Sequence, residues 1–369
     1  MSAPNNPAFV VRQDDITQTG LIDQPLLTAT DLADGEVLLA IDRFSFTANN
    51  VSYAAFGKRF QYWDFFPAPA PWGQIPVWGF ADVTASKHPD IKVGTRVYGY
   101  LPMSKQLKVQ VGQLTDSSFV DVSEHRSHLA LAYNQYQFTA NDPAYRREHE
   151  ALQMLLRPLL ITSFLLDDFL AANDFFNADD ILLTSASSKT ALGLAFMLHH
   201  QKGKRAKPQR IVGLTSASNR DFVAGLGYYD AVVGYDDIEQ MDSTRRSVVV
   251  DFAGNSDVLG RIHQQFGNQL TFSSLVGAAH WDQRSGNSKD LPGPVPEVFF
   301  APGYWAQRAK ESGNGVLMQQ FAALWAPLVQ SVAQWMEIKP VTGPEAMAVA
   351  YQDTLAGRVS PQQGVIMQL

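Results

Sequence analysis

The segment Ile181-Leu182-Leu183-Thr184-Ser185-Ala186-Ser187-Ser188-Lys189-Thr190 joins an apolar, strand-like run to a helical one through a stretch of small residues. Small side chains let a ligand approach the backbone. A helix that starts just after them offers free N–H groups and a partial positive charge to an anion. The pyrophosphate of a dinucleotide needs this arrangement, so Ser185, Ala186, Ser187, Ser188, Lys189 and Thr190 are candidate contacts. The usual G-x-G-x-x-G is degraded, and only Gly193 remains, where the helix should pack on the sheet. A strand–loop–helix occurs in any α/β protein, so the segment needs support from elsewhere. Ser188-Lys189-Thr190 also looks like the end of a P-loop, but Leu183 and Ser188 stand where its two glycines belong.

Support comes from the next strand, Ile211 to Leu214. Domains that prefer NAD place an acidic residue at the end of this strand, on the ribose hydroxyls. Here the stretch reads Leu214-Thr215-Ser216-Ala217-Ser218-Asn219-Arg220, with no carboxylate before Asp221. Thr215, Ser216, Asn219 and Arg220 therefore suit a 2′-phosphate, and NADP(H) is the expected cofactor. The plainer reading of Arg220 is a solvated helix residue.

The surrounding elements fit such a site. Strand and turn signals run from Asp34 to Tyr100, with Asp34-Gly35 opening the strand Glu36 to Asp42 and a second strand expected over Val93 to Gly99. Between them lies an aromatic, proline-rich segment, Phe60 to Trp78. From about Ala151 short apolar runs alternate with helical stretches, the mark of a parallel sheet with crossover helices. The expected strands are Ile181 to Thr184, Ile211 to Leu214, Ala231 to Val233, Val248 to Asp251 and Thr271 to Gly277. Helices are expected over Thr190 to His200, Asn219 to Leu226 after Ser218, and Asp257 to Phe266 after Ser256. A long helix, Val316 to Trp335, a short one, Glu345 to Leu355, and a last strand, Gly364 to Met367, close the chain.

Composition narrows the function classes. Of the 369 residues 46% are hydrophobic and 18% charged, enough core for two domains. The net charge of -7 argues against nucleic acid as a partner. The absence of cysteine removes disulfides, thiolate nucleophiles and cysteine-ligated zinc or iron–sulfur sites. Met1 to Asp15 is polar and lacks the apolar core of a signal peptide. The greasiest stretch, Leu152 to Ala172, is broken by Arg157, Pro158, Asp167 and Asp168, which a membrane span would not tolerate at its centre. A soluble, cytoplasmic protein with a small-molecule substrate is expected, with no nucleic acid and no membrane, and with a homodimer as the assembly to test.

The order of these pieces resembles the medium-chain dehydrogenase/reductase superfamily, in particular its zinc-independent quinone-oxidoreductase-like branch. Asp34-Gly35-Glu36-Val37-Leu38-Leu39 is similar to the opening strand of its GroES-like domain. Phe44 to Ser52, followed by Gly57, is similar to the family's Asn-x-x-Asp…Gly segment beside the active site. Ile75 to Ala81 stands where the family writes a Pro-x-x-Gly strand, and Val93-Gly94-Thr95-Arg96-Val97 resembles its Val-Gly-Asp-Arg-Val turn. Leu160 to Leu166 resembles its Leu-Thr-Ala helix, Val250 to Gly254 its fourth Rossmann strand, and Pro344 to Val365 its closing helix, glycine turn and strand. The small-residue run Ser185 to Thr190 departs from the family's glycine-rich turn.

The resemblance implies an α/β protein with a GroES-like β domain and a Rossmann parallel-sheet domain, divided as 1–145, 146–310 and 311–369. It implies NADPH-dependent reduction of a carbonyl or an activated C=C bond, in a quinone- or enone-like substrate, without zinc. A lyase-like, non-redox enzyme on the same fold and a non-catalytic dinucleotide sensor are the rivals. Register with the family makes Asn49, Asn50, Tyr53 and Tyr62 candidate hydrogen-bond donors to the reacting oxygen. The aromatic stretch from Phe56 to Trp78 could equally be packing. Thr162 matches a threonine beside the nicotinamide, and Val276 and Gly277 should end the fifth strand near the carboxamide, with His280 and Trp281 following. No metal site is expected, because the pairs His125 and His128, and His199 and His200, lack an evident third ligand.

Overall fold

Gly35, at a φ of 79°, adopts the left-handed turn that glycine makes readily and leads into the strand expected after it. A computed structural model describes residues 6–276 and 291–369. Its strands, in chain order, are β1 (Pro7–Arg12), β2 (Thr19–Asp23), β3 (Glu36–Phe46), β4 (Trp72–Gly73), β5 (Pro76–Ser86), β6 (Arg96–Pro102), β7 (Gln106–Gly112), β8 (Ser118–Asp121), β9 (Gln135–Phe138), β10 (Asp180–Leu183), β11 (Arg210–Thr215), β12 (Ala231–Gly234), β13 (Ser247–Asp251), β14 (Leu270–Val276), β15 (Glu297–Phe299), β16 (Glu337–Thr342) and β17 (Gln363–Gln368). The α-helices are α1 (Ala48–Ala55), α2 (Glu150–Ala172), α3 (Lys189–Gln201), α4 (Arg220–Gly225), α5 (Ser256–Phe266), α6 (Ala301–Ser312), α7 (Asn314–Val332) and α8 (Pro344–Leu355). Gly277, His280 and Trp281 lie outside the described residues.

Two units result: Met1–Arg157 with Val329–Leu369, and Pro158–Leu328. Both divisions fall inside helices, α2 and α7, later in the chain than the pattern breaks near residues 145 and 310. The change of periodicity marks where a helix begins, whereas packing changes partway along it.

In the first unit the strands run β16-β17-β3-β5-β6-β9-β8-β7, and a further pairing of β3 with β7 closes them into a GroES-like barrel. Pairing is antiparallel except between β16 and β17. Inward residues such as Val37, Phe44, Val77, Val97 and Met367 form its core. β6 starts only at Arg96, because Gly94, at a φ of 87°, makes a turn out of Val93 to Thr95. Part of the aromatic stretch is packing: Trp63 fills a slot beside Gly57 and Gly73, where an added Cβ would come within 2.0 and 2.6 Å of the indole.

Glu150, at the start of α2, is fully buried among cations. Arg96 grips it twice, Nε to Oε1 at 2.7 Å and Nη2 to Oε2 at 2.8 Å, while Arg43 Nη2 donates to Oε2 at 2.7 Å and the Tyr145 hydroxyl to Oε1 at 2.6 Å. Arg96 also holds Asp42 at 2.6 Å and Asp82 at 2.8 Å. Burial works against the charged carboxylate, but the hydrogen bonds from Arg96, Tyr145 and Arg43 outweigh it and hold it down at about 2.

In the second unit the sheet runs β12-β11-β10-β13-β14-β15, every pair parallel. Counted along this unit the order is 3-2-1-4-5-6, that of a Rossmann sheet. Its central strands are apolar on both faces, as Ile181 to Leu183 and Val248 to Val250 show. α5 is capped by Asn255, whose Oδ1 accepts from the amides of Asp257 at 2.9 Å and Val258 at 3.3 Å; Ser256 is its first residue. α4 is shorter than expected, with a single turn, Ala217–Asn219, in front of it. Gly193 faces helix α2 rather than the sheet: an added Cβ would lie 2.3 Å from Leu160 Cδ2 and 2.8 Å from Ser163 Oγ. Among the described residues no helix is long and apolar enough to cross a membrane.

Candidate functional site

The strand order of the second unit reverses between β10 and β13, and open sheets of this type bind ligands beyond the strand ends at such a point. Thr184 ties the two ends together. Its hydroxyl donates to Asp251 Oδ1 at 2.6 Å and accepts from the amides of Phe252 at 2.8 Å and Ala253 at 3.1 Å. Ser185 follows at a φ of 48°, a left-handed conformation uncommon for a residue with a side chain. Two tyrosines hold that shape: Tyr235 Oη accepts from the Ser185 amide at 2.9 Å, and the Tyr229 hydroxyl donates to the Ala186 carbonyl at 2.8 Å. Gly213 makes room for the second, since a Cβ there would come within 2.8 Å of the Tyr229 ring.

Ser188 caps α3, its Oγ accepting from the Ala191 amide at 3.4 Å. Lys189 and Thr190 form the first turn, and the Thr190 carbonyl accepts from Ser163 Oγ at 2.8 Å. Lys189 is half-buried, and burial pulls its ammonium down to about 8. Asn219 Nδ2 donates to Ser187 Oγ at 3.1 Å and to Ser216 Oγ at 3.2 Å, tying the end of β11 to the loop. Thr215 is fully buried at the end of β11, whereas Arg220 is exposed and paired with Asp237 at 3.1 Å. Thr162 is half-buried on α2, and Val276 is the buried last residue of β14. The loop candidates from Ser185 to Thr190 and those from Ser216 to Arg220 are thus gathered around two adjacent strand ends. Tyr229, Tyr235, Thr184 and Asp237 belong to the same place and are not distinguished in the sequence.

In the first unit, Tyr53 on α1 and Tyr62 lie with ring centroids 4.5 Å apart. Tyr100 is 5.9 Å from Tyr53, Tyr133 is 4.8 Å from Tyr100, and Trp78 is 5.1 Å from Tyr100. Burial raises the phenols of Tyr53, Tyr62, Tyr100 and Tyr133 above the ordinary tyrosine value, and the neighbouring phenols add to this for the first three. All four are therefore protonated at neutral pH, the form in which a phenol can donate a hydrogen bond. The alternation of Trp78 and Phe80 on β5 opposite Tyr98 and Tyr100 on β6 is the pattern that could have revealed the rest of the cluster. Asn49 is exposed on α1. Asn50 is buried and committed to the fold: its Oδ1 accepts from the Thr47 amide at 2.8 Å, and its Nδ2 donates to the Pro76 carbonyl at 2.9 Å.

Among the described residues no group of three or more histidine, aspartate or glutamate side chains could hold a metal ion. His199 and His200 are exposed at the end of α3, and the His200 ring stacks on Phe196 at 5.6 Å.

Solved structures share this architecture end to end. CurA from Vibrio vulnificus in complex with NADPH is 15% identical, with a TM-score of 0.60 over 95% of this chain and 94% of that one. The yhdH oxidoreductase from Salmonella enterica in complex with NADP is 15% identical, with a TM-score of 0.54 over 98% and 99%. A putative NADPH:quinone reductase from Mesorhizobium loti is 13% identical, with a TM-score of 0.60 over 100% of both chains. At these identities the likeness is one of fold alone. No curated protein sequence matches significantly. Residues 44–360 match the family profile described as protein of unknown function (DUF2855), most of the chain, and the protein belongs to that family.

Proposed function

We propose that this protein is an NADP(H)-dependent reductase that acts, without zinc, on a carbonyl or an activated C=C bond of a quinone- or enone-like small molecule. The observation that carries the reading is the left-handed Ser185 turn at the switch point of a 3-2-1-4-5-6 sheet, followed at once by the capped N-terminus of α3. The residues present fit a pyrophosphate. Ser185 to Ser188 have small side chains, Tyr229 and Tyr235 brace the backbone, and Lys189 supplies a cation. Thr190, in the first turn of α3, is proposed for the pyrophosphate with the loop, Arg220, Ser216 and Asn219 for the adenosine end, and Thr162 and Val276 for the nicotinamide end. The complexes of CurA with NADPH and of yhdH with NADP support the choice of cofactor.

When bound, NADPH supplies the hydride. The proposed work of the chain is to stabilise negative charge developing on the substrate oxygen. Tyr53 and Tyr62, protonated and half-buried, are the proposed donors, and the exposed amide of Asn49 is a third. Phenols raised this far give up a proton poorly, so their contribution is hydrogen bonding to the oxygen, and the proton that completes the reduction is taken from water. Asn50 holds α1 in place and is a positioning residue.

Assays of NADPH oxidation against a panel of quinones and enones test the reading. At least one acceptor should be turned over, and Tyr53→Phe should lower kcat by about a hundred-fold with NADPH affinity unchanged. NADPH binding with no oxidation by any acceptor would contradict the reductase reading. An unchanged kcat in Tyr53→Phe would remove that tyrosine from the reaction.

A further inference from the structure

Within Thr215 to Arg220 the sequence offers a guanidinium and no carboxylate, but the fold supplies one. Asp237 lies on the short 3-10 helix Tyr235–Gln240, directly after β12, with its Oδ2 3.1 Å from Arg220 Nη1. Gln240 Nε2 donates to its other oxygen at 3.4 Å. The pair sits above Gly234, where an added Cβ would come 3.1 Å from Asp237 Oδ2 and 3.9 Å from Arg220 Nη1. Gly234 is in register with Thr215, so the pair occupies the carboxyl ends of two neighbouring parallel strands. Asn219, the residue before Arg220, reaches Ser187 of the small-residue loop at 3.1 Å. Arg220 is therefore next in sequence to a residue that touches the proposed pyrophosphate cradle.

At the end of the second strand of a Rossmann sheet a carboxylate reads the ribose hydroxyls of NAD, and a guanidinium nearby accommodates the 2′-phosphate of NADP; here the guanidinium follows that strand, β11, and the carboxylate is brought beside it from the end of the next, β12. We propose that Asp237 is a specificity-determining residue. As the counter-charge of Arg220 it restrains the preference for NADPH, and as a hydrogen-bond acceptor it lets NADH compete. This rests on the nucleotide reading of the loop. A 2′-phosphate must share Arg220 with Asp237 and is repelled by the carboxylate. The 2′-hydroxyl of NADH carries no charge and can donate to it. The side chains of Arg220 and Asp237 are 51% and 37% exposed. Exposed pairs contribute little to stability, so either residue can be changed with the fold intact.

The test is fluorescence titration of NADPH and NADH into the parent protein, Asp237→Asn and Arg220→Ala. The parent should prefer NADPH. Asp237→Asn should raise the ratio of NADPH to NADH affinity by about five-fold, and Arg220→Ala should lower it below that of the parent. The gain in Asp237→Asn should shrink between about 0.05 and about 0.5 M salt, because exposed charges are screened. An unchanged or lower ratio in Asp237→Asn, with both nucleotides still binding, overturns the role of Asp237 alone. Failure of the parent to bind either nucleotide overturns the nucleotide reading and this proposal together.

Discussion

Ser187→Leu should abolish NADPH binding, lowering affinity at least a hundred-fold, while the unfolding midpoint moves little. Ser187 is half-buried in the loop, and its Oγ accepts from Asn219 Nδ2 at 3.1 Å. Losing that bond costs about 1 kcal/mol, whereas a leucine side chain would stand where a pyrophosphate has to approach. Lys189→Ala sharpens the result. A cation in the first turn of a helix opposes the macrodipole by about 0.3–1 kcal/mol unless an anion is there. With the cation that would face the pyrophosphate gone, the variant should bind NADPH more weakly. Burial has pulled Lys189 down to about 8, so between there and the ordinary lysine value the unfolded chain binds more protons than the folded one. The ligand-free parent should gain stability as pH rises through that window, and NADPH affinity should fall as the ammonium is lost. If both variants bind NADPH as the parent does, the loop is not the nucleotide site.

Glu150→Ala should destabilise the barrel-containing unit by about 3 kcal/mol, the usual scale for removing one partner of a buried ion pair. The substitution leaves Arg96, itself almost buried, and Arg43 without the carboxylate they share. The carboxylate is held at about 2 in the folded protein, below its ordinary value. Its contribution is therefore present above the ordinary carboxylate range and is lost as pH falls toward 2. Denaturant unfolding at pH 7 and at about pH 3 tests this. The gap between parent and variant should be wide at the first and narrower at the second. Tyr145→Phe, which removes one hydrogen bond to Glu150, should cost only about 1 kcal/mol. An equal gap at both pH values, or a loss no larger than that of Tyr145→Phe, would show that the network does not hold α2 to the barrel strands.

The architecture was legible because its signals are local. Apolar runs of four or five residues, separated by helical stretches, are the mark of a parallel sheet, and Gly35 marks a turn that needs a left-handed φ; Gly94 reads as part of a strand, but its turn starts β6 only at Arg96. Arg96, met first in a turn motif, proves to be the hub of the Glu150 network. The site was legible only where its residues are neighbours in sequence. Ser185 gives no sign of its left-handed backbone, because that shape is imposed from a distance by Tyr229 and Tyr235. Asp237 escaped for the same reason: it meets Arg220 through the pairing of β11 with β12. Asn50 could have been read correctly, since Thr47-x-x-Asn50 resembles a capping box, but its residue type drew attention to donor chemistry. Gly193 was placed against the wrong neighbour because helical spacing does not reveal that α2 crosses there. For α5, two cap-forming residues stand side by side, and only the geometry selects Asn255 over Ser256.

Titration of NADPH into the purified parent protein, followed by nucleotide fluorescence, bears most directly on the claim that this sheet holds a dinucleotide. Saturable binding of one NADPH per chain, lost in Ser187→Leu, is the expected result. No saturable binding by the folded parent would contradict it.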